Sequence, residues 1–213
     1  MPAGAAGDRR RPFGTLRGGD SRAATGTLAR CSTPERTQSF INGLDYNWER
    51  DGKSTLKSFR RVVREGNAHC LEGALTAAAI LSQHGYPPLL LCMEARDIDH
   101  NLFVYQRKGR WGALAQSRDE NLRARPPEHK TLRDLVLSYH PYYWNYFTKD
   151  LTDLTLRGFA LVDLRRFKRD WITSEKDPTY IEDHLWSIRY DAVWPVPGRR
   201  RFISPRKGKL RWI

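Results

Sequence analysis

Cysteine is scarce in this chain: three in 213 residues, an odd number with no C-x-x-C pair. That excludes a disulfide framework and a zinc knuckle, and makes a reducing, cytoplasmic compartment the expectation. Acidic residues are missing from one end, since residues 195–213 hold seven Lys or Arg and no Asp or Glu. Long apolar runs are missing too. The charge-free stretch over residues 73–93 is interrupted by Gln83, His84, Gly85, Pro87 and Pro88, which excludes a membrane-spanning helix there. The first thirty residues are rich in Gly, Ala and Arg without an apolar segment, so no secretory leader is expected.

What is present places the chain in the globular class: 39% hydrophobic and 29% charged residues, with a mean hydropathy of -0.67. Its length suits one domain. The net charge of +13 looks like a nucleic-acid signal until it is divided along the chain. Residues 1–36 carry +4 and residues 195–213 carry +7, which leaves +2 for residues 37–194. Residues 1–36 are therefore expected to be a disordered basic extension, 37–194 one domain, and 195–213 a basic tail. Nucleic acid is not an expected partner, except weakly through the basic tails.

Local patterns give an α+β domain, helices packed on a small antiparallel sheet. Leu56, Phe59, Val62 and Val63 form one apolar stripe of a helix, with Ser54 as its cap and Gly66 as its end. Residues 70–81 predict a second helix, capped by Asn67 and stopped at His84 and Gly85. Its face of Cys70, Ala74, Ala77, Ala78 and Leu81 is small and apolar, which suits close packing on a sheet. Residues 89–93 read as a buried strand, and His100 opens another. Lys108-Gly109 is a two-residue hairpin turn leading into a strand over 110–116. Thr131 and Asp134 have capping-box spacing, and a last helix starts at Asp177-Pro178 with Ile181, Leu185 and Ile188 facing inward.

The informative residue is Cys70. At the first turn of a helix, unpaired N–H groups and the positive dipole end stabilise a thiolate and can hold an oxyanion. Cys92 lies within an apolar strand and Cys31 in the tail, and neither has these advantages. A thiol nucleophile needs a base. His69 adjoins Cys70, but adjacent helical residues point in different directions. His100, at a strand start beside a loop, can be brought to the sulfur by a sheet packed on the helix. With Lys108-Gly109 as the turn, paired positions sum to 217, so His100 lies opposite Ser117 and diagonal to Ala115 and Asp119. Ser117 or Asp119 is the candidate third member, fixing the imidazole tautomer.

Asn67-Ala68-His69-Cys70-Leu71-Glu72-Gly73-Ala74, Asp99-His100 and Trp111-Gly112-Ala113-Leu114-Ala115 together resemble the transglutaminase-like superfamily of bacteria, whose domain shares its core with papain-type thiol enzymes. The resemblance covers residues 54–146. It implies a Cys, His, Asp triad in that chain order, onto which Cys70 and His100 map. The family's Asp, four residues after a tryptophan, falls on Ala115, so Ser117 or Asp119 stands in its place. The resemblance implies acyl transfer or hydrolysis of peptide or protein amides through a thioester, with no cofactor. A member of the same fold that has lost catalysis and binds a peptide or protein is the alternative, favoured by the missing Asp.

Other features have simpler readings. The aromatic cluster Tyr139, Tyr142, Tyr143, Trp144, Tyr146 and Phe147 lacks interleaved Lys or Arg and reads as packing material. Asp97 and Asp99 beside His100 have no second His at ligand spacing, which argues against a metal site. Glu72 reads as a helix-start charge complementing the dipole.

Overall fold

The computed structural model describes residues 21–49, 52–204 and 211–212. The elements in chain order are α1 (Ser21–Arg30), α2 (Pro34–Asn42), β1 (Asp45–Tyr46), α3 (Phe59–Glu65), β2 (Asn67–Ala68), α4 (Cys70–Ser82), β3 (Leu89–Ala95), β4 (His100–Arg107) and β5 (Arg110–Leu114). They continue with β6 (Arg125–His129), α5 (Leu132–Leu137), β7 (Leu156–Asp163), α6 (Thr179–Leu185), β8 (Arg189–Val196), β9 (Arg199–Ile203) and β10 (Arg211–Trp212). The α+β class holds. The sheet is larger than expected, eight strands in the order β10-β9-β8-β7-β3-β4-β5-β6, antiparallel at every step, while β1 and β2 form a separate parallel pair.

Both faces of the sheet are covered, which is why residues 89–93 read as an unbroken apolar run. Leu90, Cys92 and Phe103 point into one cluster, with α4 and the helices around it. Leu91, Met93, Leu102 and Val104 point into a second, beneath α5 and Tyr139. α4 is buried on all sides from Leu71 to Ser82, beyond the single face expected, because α1, α2 and α3 cover what β3 and β4 do not. Small side chains make this approach feasible. A Cβ on Gly73 would stand 2.6 Å from Gln116 Cβ, so the glycine sets how closely the start of α4 meets the segment after β5.

Several boundaries differ from the sequence reading. Residues 21–36, expected to be disordered, form α1 and the start of α2, and Ala24 and Cys31 are buried in the core. The expected tail is partly sheet: β8 runs past residue 194, β9 follows, and Phe202 is buried. Residues 1–20, 205–210 and 213 of those segments lie outside the described residues. The cap of α3 is Ser58 rather than Ser54, with Gly66 left-handed at its C-terminus (φ 71°) as expected. The cap of α4 is His69 rather than Asn67, which pairs in β2 instead.

The hairpin turn at Lys108 and Gly109 has positive φ at both residues (51° and 71°), and Arg107 pairs with Arg110 as the register arithmetic requires. That register persists only to Phe103 opposite Leu114. Beyond it, Gln38 of α2 takes over the main chain of Ala115: its Nε2 donates to the carbonyl (2.9 Å) and its Oε1 accepts from the N–H (3.1 Å). A side-chain amide thus replaces the next rung of the ladder, and the chain leaves β4 before Ser117.

Candidate active site

α4 begins with a built cap. Glu72, fully buried, accepts from the His69 N–H (3.0 Å), the Lys57 N–H (2.8 Å), Asn47 Nδ2 (3.0 Å) and Thr55 Oγ1 (3.0 Å). Burial alone would raise its pKa; the charge of His69 and these donors lower it instead. One carboxylate therefore gathers residues 47–57 around the helix start. This exceeds the dipole role expected of Glu72.

Cys70, the first residue of α4, is half-buried and lines a cleft of about 610 Å³ together with His100. Burial pushes the thiol up. Hydrogen bonding and charge from His100, and then from His69, outweigh it and hold the thiol well below its usual range. His100 is 5% exposed, and its Nε2 donates to the Leu122 carbonyl at 2.7 Å. With Nε2 committed, Nδ1 is the nitrogen left for the sulfur. That carbonyl performs the orienting role expected of Ser117 or Asp119.

Neither of those side chains hydrogen-bonds to His100, which corrects the expected triad. Ser117 Oγ accepts from the Asp119 N–H (3.1 Å), and Asp119 Oδ1 accepts from the Asn121 N–H (2.8 Å). They shape the turn that delivers Leu122: Asp119 caps the short 3-10 helix of residues 120–122. Both still line the cleft.

His69 is nearer the chemistry than its position in the sequence suggested. As the cap of α4 it lies outside the helix, in extended conformation, and its ring folds over the helix end. Nδ1 accepts from the Leu71 N–H (3.2 Å) and Nε2 donates to the Thr55 carbonyl (2.9 Å), the neutral capping tautomer. Burial disfavours a charge here, yet the Cys70 sulfur and the Glu72 carboxylate raise its pKa to about 9. A second proton at Nδ1 would replace the Leu71 bond.

Around the cleft stand residues to which the sequence reading assigned another role, and two cations it did not single out. Asp99 accepts from the Ala95 N–H (3.0 Å), and its pKa is pushed up to about 7, first by burial and then by the charges of Glu94 and Cys70. Tyr139 and Tyr143 are packing material as expected, their hydroxyls donating to the carbonyls of Arg123 (2.7 Å) and Ile98 (2.9 Å). Tyr142, Trp144 and Tyr146 instead form a cleft wall. The missing cations come from elsewhere in the chain, with Arg118 and Lys149 both set over the Tyr146 ring. Their sequence signal was weak because 118 and 149 lie on separate segments. A second cavity of about 300 Å³ reaches Cys70 from the His69 side, between Trp48, Asn101 and Trp186.

Among the described residues no group of three or more His, Cys, Asp or Glu side chains could hold a metal ion, and no helix is long and apolar enough to cross a membrane. No family model matches the chain, and no curated protein matches it in sequence.

Proposed function

We propose that this protein is a thiol-dependent acyltransferase or amide hydrolase of transglutaminase-like type, acting on peptide or protein amides in the cytoplasm with Cys70 as nucleophile and His100 as general acid and base. The observation that carries the reading is the Cys70 thiol, lowered at the start of α4 beside an imidazole whose far nitrogen is bonded to the Leu122 carbonyl. The helix-on-sheet arrangement supports it, with Cys70 on the helix and His100 on the neighbouring sheet as in papain-type enzymes.

The chemistry follows from the groups in place. The Cys70 thiolate attacks the amide carbon, and the tetrahedral oxyanion accepts from the Cys70 N–H at the open end of α4. His100 gives the proton at Nδ1 to the departing nitrogen, the C–N bond breaks, and a thioester remains. His100 then takes a proton from water or from an acceptor amine, which attacks the thioester and restores the thiolate. The Nε2–H bond to Leu122 holds the ring throughout.

One observation favours the alternative, a peptide-binding module without turnover: His100 faces a carbonyl dipole where a full carboxylate charge would stabilise the imidazolium more strongly. Alkylation with iodoacetamide near pH 6, read by intact mass and peptide mapping, separates the two. An active site predicts that Cys70 is modified far faster than Cys92, and that Cys70→Ala abolishes acyl transfer while the far-UV spectrum is retained. Equal, slow labelling of both cysteines would leave only the binding module.

A further inference from the structure

The two walls of the main cleft meet at one aromatic ring. Arg118 Cζ lies 3.3 Å from the Tyr146 ring centroid and Lys149 Nζ lies 3.6 Å from it. Two groups that near one centroid fit only on opposite faces, so Tyr146 is a spacer between two positive charges. Lys149 also faces Trp144 at 5.5 Å. All four residues line the cleft that contains Cys70.

The turn that carries Lys149 is specifically built. Its backbone is left-handed (φ 60°), a conformation a lysine does not favour. The Lys149 N–H donates to the Asn145 carbonyl (2.9 Å), and Asn145 Oδ1 accepts from the N–H groups of Phe147 (3.0 Å) and Thr148 (3.2 Å). Asn145 Nδ2 donates to Asp153 (2.9 Å).

Among the described residues neither cation is in an ion pair, and the carboxylates around them have other partners, except that one oxygen of Asp97 is buried without one. Asp97 accepts from the Tyr146 N–H (2.8 Å), Asp119 caps its 3-10 turn, Asp150 accepts from Thr152 (2.8 Å), and Asp153 pairs with Arg96. Glu120 is exposed at the rim. Asp99, which also lines the cleft, is pushed up to about 7, so its charge is only partial at mildly acid pH. Cation–π attraction holds each cation on the ring, but the two repel one another. An anion at the ring edge meets both and relieves that repulsion. The surroundings suit a polypeptide, since Trp48 and Tyr142 of the cleft are 50% and 42% exposed, and Phe147, edge-on to Tyr146, is 70% exposed.

We propose that Arg118, Tyr146 and Lys149 form an anion subsite for the acyl donor, so that Cys70 prefers peptides with an acidic side chain close to the amide it attacks. This rests on the reading of Cys70 as the nucleophile, and the test keeps the two apart. The probes are N-iodoacetylglutamic acid α-amide and N-iodoacetylglutamine α-amide, equal in size and different in one charge, with Cys70 alkylation followed at pH 6.5. The acidic probe is expected to react roughly tenfold faster than the neutral one at low salt. The ratio falls toward one in 1 M salt, where charges are screened within about 3 Å. Arg118→Gln and Lys149→Gln each bring the ratio close to one, whereas Arg118→Lys retains most of it.

Equal, fast labelling by both probes in the unmodified protein overturns the subsite and leaves the nucleophile standing, as does a ratio that survives both Gln variants. Slow labelling by both probes overturns the reading of Cys70 itself, and the subsite with it. N-Iodoacetylglutamine with a free α-carboxylate separates the sources of charge. If it outpaces the acidic side-chain probe, the recognised anion is a chain end and the acidic-peptide assignment is wrong.

Discussion

Cys70 and Cys92 both border the second cavity, and their chemistry is opposite. Cys92 is buried in the middle of β3, where the Tyr190 hydroxyl lies 3.2 Å from its sulfur and 2.9 Å from the Leu185 carbonyl. Burial, then the charge of Asp99, push this thiol well above its ordinary range. Burial acts in the same direction on Cys70, where two imidazoles reverse the outcome. A strand interior spends its backbone N–H groups on the ladder, whereas a helix start has them free and can be surrounded by side chains that favour charge. Burial alone therefore says little about a thiol, and its partners decide whether it is inert or nucleophilic.

The largest test of this contrast removes the imidazole on the sheet. His100→Ala is expected to slow Cys70 alkylation at pH 6 by at least roughly tenfold, the equivalent of one pKa unit, while Cys92 stays equally slow. Ser117→Ala and Asp119→Asn are expected to change that rate by less than about twofold, since the acceptor on His100 is main chain. A drop with Asp119→Asn as large as with His100→Ala would restore the side-chain triad.

A smaller effect is expected from the packing that holds the helix end in place. In Gly73→Ala the added methyl meets Gln116, whose amide is fixed on the carbonyls of Ile41 (3.2 Å) and Leu44 (2.9 Å) and cannot easily give way. Overpacking costs about 1–3 kcal/mol, and the better helix propensity of Ala returns at most about 1 kcal/mol. Urea denaturation should show a net loss of stability; an unchanged or higher midpoint would mean that the segment after β5 is free to shift.

A separate effect, read against pH, concerns the carboxyl near both cysteines. The folded-state pKa of Asp99 is raised to about 7, so its neutral form is favoured by folding. That contribution is complete below the unfolded carboxylate pKa and is lost as pH rises toward 7. Asp99→Asn keeps an acceptor for the Ala95 N–H and does not titrate. Its melting temperature relative to the unmodified protein should rise between pH 4 and pH 8, and a constant difference would contradict the assignment.

The legible parts of the sequence were those set by near neighbours. The hairpin register, the Thr131 and Asp134 cap of α5 and the start of α4 at Cys70 depend on residues a few positions apart. Failures came where distant segments intervene. Pairs summing to 217 continue correctly to Leu114, and then the Gln38 amide from α2 ends the ladder, so Ser117 never comes opposite His100. α1 looked disordered because its Gly, Ala, Thr and Arg composition shows no apolar stripe, yet Ala24 and Thr27 pack into the core and the His84 ring donates to the Leu28 carbonyl (2.8 Å). The Tyr146 sandwich draws its cations from two loops that only the fold brings together.

The Leu122 carbonyl has one more consequence. A main-chain oxygen has no codon of its own, so no single replacement deletes the group that steadies the His100 ring; only a change in the path of residues 119–122 can do so. Natural variation is then free to alter the side chains at those positions, and a search that demands three reactive side chains would pass over an arrangement of this construction.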